Sequence, residues 1–361
     1  MKELRLMKGN EAMAEAMIRA GFDGYFGYPI TPQSEVLEHL QAEKPMERTG
    51  MVVLQAESEV ASINMLYGAA ASGKNVVTSS SSPGISLMQE GISYIAGAEL
   101  PCVIINVQRG GPGLGDIQPS QSDYFQAVKG GGHGDYHLIV IAPASVQESH
   151  DFVKLAMELA NKYRNPVMIL SDGAIGQMME KVELFEQQPR WTLDEIKEKK
   201  PWATFGKPEG KERRIITSLF LQPEVLEDHN THLQEKYRQI EAQEVRYEEI
   251  MCDDAEYIIV AYGLASRIVQ KSMQLLREEG IKVGLLRPIT LYPFPSVPIG
   301  EYAEKVKGFL TVELNAGQMV EDVRLSVEGK APVSFYGRTG GMMPTPEEVS
   351  EALKESFNLG E

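Results

Sequence analysis

Along the first half of the chain, short unbroken apolar runs alternate with stretches of helical period. Residues 24–28, 51–54, 76–79, 103–107, 138–142 and 167–170 are such runs, too short for buried helices and mostly rich in β-branched side chains. Stretches 58–71, 85–97 and 145–162 between them carry helical patterns. Strands that are apolar on both faces and separated by helices predict a parallel sheet covered on both sides. A helix over residues 9–20 opens the unit and stops at Gly21, which accepts the left-handed turn that follows a helix. This first domain spans residues 1–185.

The pattern changes after Glu180. Up to about residue 254 the chain is dominated by Glu, Gln, Lys and Arg, and it holds both tryptophans, Trp191 and Trp202. Residues 224–251 read as one long charged helix. The segment 186–254 is expected to be a charged helical connector, either a solvated link or an arm lying across a partner. A second α/β unit, residues 255–361, follows with strands at 257–262, 282–286, 309–313 and 333–336. Its helices fall at 266–279, 301–306 and 318–328, and a last one starts at Pro346 with Thr345 as N-cap.

A length of 361 residues is enough for two cores. Thirty-five basic against 51 acidic residues give a net charge of −16, which argues against nucleic acid or an anionic membrane as partner. Cys102 and Cys252 are the only cysteines, far apart and outside any CxxC pattern. They suit a reducing compartment and supply no ligand set for zinc or an iron–sulfur cluster. No apolar run approaches the roughly 18 residues of a membrane helix, and the first residues lack a signal-peptide core. A cytoplasmic protein is expected.

Ligands of open parallel sheets bind beyond the carboxyl ends of the strands, and four such ends carry unusual residues. Tyr28-Pro29-Ile30-Thr31-Pro32 holds Thr31 between two prolines, either as a rigid turn or with its hydroxyl presented to a ligand. Gln55-Ala56-Glu57-Ser58-Glu59 leads into an apolar helix, where Glu59 either caps the helix or is a buried functional carboxylate. The run from Thr78 to Gly84 offers five hydroxyls that could satisfy free amides or leave room for a flat ligand. Arg109, before Gly110 and Gly111, could take a carboxylate in a two-pronged fork or make a surface ion pair. His133 and His137 lack a convincing third ligand, so no metal site is expected, and Asp172-Gly173 reads as a turn.

Taken together, YPITP at 28–32, the stretch 55–59, SPGISLM at 82–88 and Gln108-Arg109 resemble the pyrimidine-binding domain of 2-oxoacid:ferredoxin oxidoreductases, most of all the branched-chain (2-oxoisovalerate) type. The likeness spans roughly residues 5–185. Arg287-Pro288-Ile289-Thr290-Leu291-Tyr292-Pro293 and the stretch 312–318 resemble the family's transketolase C-terminal-like domain. The implied fold class is α/β, a thiamine-diphosphate-binding (pyrimidine-type) parallel-sheet domain followed by a transketolase C-terminal-like α/β domain. The resemblance implies that Glu59 is catalytic, holding N1′ of the aminopyrimidine and so activating the thiazolium carbon. It also implies that Tyr28, Pro29, Ser82 and Gly84 line the cofactor, and that Thr31 and Arg109 hold the 2-oxoacid.

The family's diphosphate anchor, a GDG with an Asn pair some 25–30 residues on, has no counterpart here: Gly115-Asp116-Ile117 and Gly134-Asp135-Tyr136 depart from it. The resemblance therefore implies a heteromer, in which this alpha subunit shares thiamine diphosphate with a beta subunit that carries Mg²⁺. A gamma subunit and a ferredoxin-like subunit with 4Fe-4S clusters complete it. The implied reaction is oxidative decarboxylation of a 2-oxoacid with coenzyme A, giving acyl-CoA, CO₂ and reduced external ferredoxin. Three alternatives stay open: a 2-oxoglutarate-specific alpha subunit, the beta chain of a lipoamide-linked 2-oxoacid dehydrogenase, and a non-catalytic scaffold of the same fold.

Overall fold

The computed structural model describes residues 3–207, 209–210 and 212–359. Its strands, in chain order, are β1 (Glu3–Lys8), β2 (Gly24–Gly27), β3 (Val52–Gln55), β4 (Val76–Ser80), β5 (Cys102–Gln108), β6 (Ile139–Ile141) and β7 (Pro166–Asp172). They continue with β8 (Met179–Leu184), β9 (Tyr247–Ile250), β10 (Tyr257–Val260), β11 (Val283–Pro288), β12 (Thr290–Tyr292), β13 (Gly308–Glu313) and β14 (Val333–Gly337). The first unit is built on a seven-stranded sheet of order β12-β6-β7-β5-β4-β2-β3. All its strands run parallel except β12. The central strands β5 and β7 are buried at every position, as their unbroken apolar runs require.

Helices Gly9–Ala20, Glu59–Ala71, Ser82–Gly97 and Val146–Tyr163 cover the sheet near the expected positions. A ribbon that the pattern did not foretell, β1 paired antiparallel with β8, brackets the first helix. It is short and half-exposed, so its side chains leave little hydrophobic signal. The second unit has a five-stranded sheet of order β14-β13-β10-β11-β9, with β9 antiparallel to the rest. Thr345 caps the last helix as expected, accepting from Glu348 N–H at 3.2 Å.

One expectation needs correction. The charged helix spans Pro223–Gln243 and does not continue to residue 251. Beyond it the chain is drawn into pairing: Arg246 N–H donates to Thr290 Oγ1 at 2.8 Å, and β9 lies against β11. The second unit is packed against the first. After β11 the chain crosses over, and β12 joins the edge strand β6 of the first sheet. Tyr292 stacks on His137 with ring centroids 4.4 Å apart and donates to Glu241 at 3.0 Å. Arg287, almost fully buried, closes a two-pronged bond on Glu148 of helix Val146–Tyr163 at 2.6 and 2.8 Å. The main hydrophobic core accordingly includes Ile258, Val260, Leu286 and Leu291 alongside the first unit's side chains.

The segment after β8 is docked onto the protein body. Ile196 and Ala203 are fully buried, Arg164 stacks on Trp202 at 4.5 Å, and Lys200 sits over Trp191 at 5.3 Å. Lys200 is 3% exposed and donates to Asn75 Oδ1 at 2.8 Å. Burial pushes its ammonium down to about 7, against the opposing pull of Asp23. The folded state thus favours neutral lysine while the unfolded chain keeps its proton up to about 10.5. Stability from this group should rise with pH between those values. We expect Lys200→Met to stabilise the chain by roughly 1–3 kcal/mol at pH 6–7. Urea unfolding across pH should show the gain shrinking towards pH 10.

Candidate functional site

Strands β7, β5, β4, β2 and β3 are consecutive neighbours, so their carboxyl ends bring the sequence's unusual residues along one rim. The loop after β2 is held from beneath. Gln33, fully buried, donates to the Tyr28 carbonyl at 3.0 Å and accepts from Ser79 Oγ at 2.8 Å. Tyr25 extends the chain with a 2.8 Å bond to Ser79, and burial pushes its phenol up to about 12. Asn10 fixes the loop's far end through the Pro32 carbonyl at 2.7 Å. Tyr28 and Thr31 stay exposed, Pro29 is half-buried, and the Thr31–Pro32 bond is cis.

The capping role at this helix falls to the residue before Glu59. Ser58 is the N-cap, its hydroxyl accepting from Ala61 N–H at 3.2 Å. Glu59 is the next residue, 7% exposed, and its carboxylate accepts no hydrogen bond among the described residues. Opposite it lies the first turn of helix Ser82–Gly97. A methyl group on Gly84 would come within 2.8 Å of Glu59 Oε1 and 2.1 Å of Ser80 Oγ, so only glycine lets this helix pack directly on both side chains. A largely buried carboxylate spared from capping is a candidate ligand-binding group.

Arg109 and Thr31 meet, though not through the groups the resemblance singled out. Arg109 Nη1 donates to the Thr31 carbonyl at 2.9 Å and Nη2 to the Leu114 carbonyl at 3.2 Å. Two donors of the fork thus join the loops after β2 and β5, while its Nε is buried without a partner. Ser82 is also partly committed: its hydroxyl accepts from Arg109 N–H at 3.1 Å and contacts the Arg109 carbonyl at 3.3 Å.

Residues 120–125 at the rim escaped the sequence reading, whereas Gln108 and the stretch 312–318 carried the resemblance. A cleft of about 630 Å³ runs between the two units, from Ser82 and Arg109 to Asn315, Gln318 and Thr339. Its floor is a seam between residues 120–125 and 313–320. Gln121 Oε1 accepts from Leu314 N–H at 3.0 Å and its Nε2 donates to the Tyr262 carbonyl at 2.8 Å. Gln318 answers from the other side, bonding the Ser122 carbonyl and Phe125 N–H, each at 2.8 Å. Glu313 organises the turn, accepting from Met319 N–H at 2.8 Å and Asn315 Nδ2 at 2.9 Å, yet burial pushes its carboxyl up. Burial likewise pushes up Asp123, which Asn106 contacts at 2.9 Å. Asn106 and Gln108, polar at alternate positions of an apolar central strand, were the available signal. Asp172 caps the short helix after β7 through Ala174 N–H at 2.9 Å, and burial pushes its carboxyl up to about 6.

A doubly covered parallel sheet with a buried carboxylate over a glycine floor at its carboxyl rim defines a cofactor-binding enzyme domain. Residues 15–251 match the thiamine diphosphate-binding domain of pyruvate flavodoxin/ferredoxin oxidoreductases, and residues 255–349 match core domain II of pyruvate:ferredoxin oxidoreductase. The chain belongs to the 2-oxoacid:ferredoxin oxidoreductase family. It is 50% identical to the ketoisovalerate oxidoreductase subunit VorB of Methanothermobacter thermautotrophicus, covering 97% of both chains. The 2-oxoglutarate synthase subunit KorA of Methanocaldococcus jannaschii is 36% identical, over 97% of this chain and 99% of that one. A solved 2-oxoglutarate:ferredoxin oxidoreductase from Magnetococcus marinus superposes with a TM-score of 0.85 at 29% identity, covering 99% of this chain and 66% of that one. A split-gene transketolase, at 15% identity and a TM-score of 0.61, shares the fold.

The expected family, fold class and enzyme class therefore stand, and the chain is one subunit of a heteromeric enzyme that passes electrons to ferredoxin. The first matched region reaches residue 251, so it takes in most of the segment expected to be a connector. No helix among the described residues is long and apolar enough to cross a membrane. The seam carries a direct test. Gln121→Leu leaves Leu314 N–H without its partner and the Tyr262 carbonyl with only Ser266 N–H as donor, which should cost about 1–3 kcal/mol. The midpoint of chemical unfolding should fall accordingly.

Proposed function

We propose that this chain supplies the aminopyrimidine half of a shared thiamine diphosphate site in an enzyme that oxidises 2-oxoisovalerate. The observation that carries the reading is Glu59 itself, a largely buried carboxylate beyond the carboxyl end of β3 that is spared from helix capping by Ser58 and makes no hydrogen bond among the described residues. Glu59 would hold a proton at N1′ of the aminopyrimidine ring. Tyr28 and Pro29 would border it from the loop after β2. When bound, thiamine diphosphate supplies a nucleophilic carbon for the substrate carbonyl and takes up the electron pair left by CO₂ loss.

Arg109 places positive charge and one free Nε donor at the rim, suited to the substrate carboxylate. Thr31, exposed beside it, offers a hydroxyl to the 2-oxo oxygen. Leu114 and Ile117, exposed on the loop that Arg109 secures, provide apolar contact for a branched acyl group. The naming of the 50%-identical relative supports the same substrate. With coenzyme A and two oxidised ferredoxins, the 2-oxoacid anion yields acyl-CoA, CO₂, two reduced ferredoxins and a proton.

The remaining parts of the enzyme are assigned to partner subunits. Both cysteines of this chain are buried and distant in sequence, so the 4Fe-4S clusters would belong to a ferredoxin-like subunit. The diphosphate and Mg²⁺ would belong to a beta subunit, with a gamma subunit completing a cytoplasmic assembly. Exposed apolar side chains around Glu59 support a covered face: Val52 and Leu54 on edge strand β3, Val60 and Met65 on the Glu59 helix, and Leu87 on the next.

The likeness to 2-oxoglutarate enzymes sustains a second reading of the substrate. Anaerobic pull-down of the chain should recover the cluster-bearing and diphosphate-binding subunits. Steady-state assays of that complex with a viologen acceptor then compare the two acids. A kcat/KM favouring 2-oxoisovalerate is expected, and Glu59→Gln should lower kcat roughly 10²-fold or more. Preference for 2-oxoglutarate would overturn the substrate assignment.

A further inference from the structure

Between residue 212 and the helix Pro223–Gln243 the chain runs without helix or strand, yet its exposure alternates residue by residue. Arg214, Ile216, Ser218 and Phe220 are half-buried, whereas Arg213, Ile215, Thr217, Leu219 and Leu221 are exposed. A period of two is that of extended backbone. The inward side is docked. The Arg214 guanidinium lies over the Phe205 ring at 4.4 Å, and its Nε donates to the Pro201 carbonyl at 2.6 Å. Ile216 packs against the main core, and Phe220 lies against His229 with ring centroids 4.7 Å apart. The outward side is bare: Ile215, Leu219 and Leu221 are 73%, 69% and 81% exposed. Its main chain is bare as well. Among the described residues, the one hydrogen bond made by a backbone group of residues 213–221 runs from Leu219 N–H to Thr217 Oγ1, at 3.0 Å.

An extended segment with unspent backbone donors and acceptors and apolar side chains facing outward is a template for another strand. We propose that this arm pairs antiparallel with the same arm of a second copy of the chain, about a two-fold axis at Thr217. Two observations single out a second copy. The outward face reads almost the same in both directions from Thr217, so the pairing sets Ile215 opposite Leu219 of the second copy, and does so twice. Charge agrees. Arg213 is exposed without an ion pair at the start of the arm, and the pairing brings it to the end of the other arm. There Glu224 and Glu227 are also exposed without an ion pair among the described residues. Glu212 falls opposite the neutral Gln222, whereas an in-register parallel pairing would set Arg213 on Arg213. The inward side chains already hold the arm extended, so association orders little more of it.

The test is cysteine cross-linking in the assembled complex. Both native cysteines of this chain are buried, so a thiol introduced on the arm reports by itself. Thr217→Cys should oxidise to a covalent pair of this chain, at a rate independent of the concentration of complex. Ile215→Cys should not, because the pairing leaves the two copies of position 215 four residues apart, roughly 13 Å along the strand. The double variant Ile215→Cys/Leu219→Cys should cross-link again. Adding Leu219→Glu to Thr217→Cys should slow the cross-link at least roughly tenfold, and further adding Ile215→Lys should restore it, since the two charges then face each other across the pair. Sedimentation of the wild-type complex should give two copies of this chain per particle. A particle with one copy overturns the proposal. So does a Thr217→Cys thiol that fails to cross-link, reacts no faster than Ile215→Cys, is unaffected by Leu219→Glu, or bonds a different subunit.

Discussion

Burying a charged or polar group without a partner is among the costliest things a fold can do. Beside Glu59 this chain buries one such group, the Ser80 hydroxyl, and holds a largely buried carboxylate that makes no hydrogen bond among the described residues. The carboxylate is spared from helix capping by Ser58, and Ser80 lacks the bonds that Ser79 makes to Tyr25 and Gln33 and that Ser81 and Ser82 make to the main chain. Strands β2, β3, β4 and β5 bring these residues to one rim, Gly84 lets the next helix pack directly on Glu59 and Ser80, and the Tyr25–Ser79–Gln33 chain fixes the loop beside them.

The second unit packs on the first and supplies one wall of the cleft beside Arg109. Bonds that join it to the first include the two-pronged bond from Arg287 to Glu148, the strand β12 laid against β6, the seam made by Gln121 and Gln318, and the Tyr124–Asp322 and Arg267–Glu180 pairs. Loops that would otherwise move independently around Arg109 are therefore set against a fixed wall. A group of exposed apolar side chains, Val52, Leu54, Val60, Met65 and Leu87, lies on the face around Glu59.

The parallel sheet was legible because β5 and β7 are apolar at nearly every position, a pattern few other structures explain. The candidate site was legible in part because rare residue types fall just after strands, as with Thr31, Glu59 and Arg109. What stayed hidden depends on long-range pairing. Nothing local tells that Thr290–Tyr292 leaves its own unit, or that Arg246 ends a charged helix by bonding Thr290. The hydroxyl run shows five donors, but which of them remain unspent is decided by strand neighbours such as Val107 and Gln33. The charged segment was misjudged for the same reason, since its few apolar residues, Ile196 and Trp202 among them, do the docking.

The central claim is that this chain holds half of a thiamine diphosphate site and that the other half comes with a partner. Calorimetric titration of thiamine diphosphate with Mg²⁺ into the isolated chain, and then into the assembled complex, addresses it most directly. The account predicts saturable, Mg²⁺-dependent binding by the complex and at least a roughly hundredfold weaker response from the chain alone. Tight Mg²⁺-dependent binding by the isolated chain would contradict it.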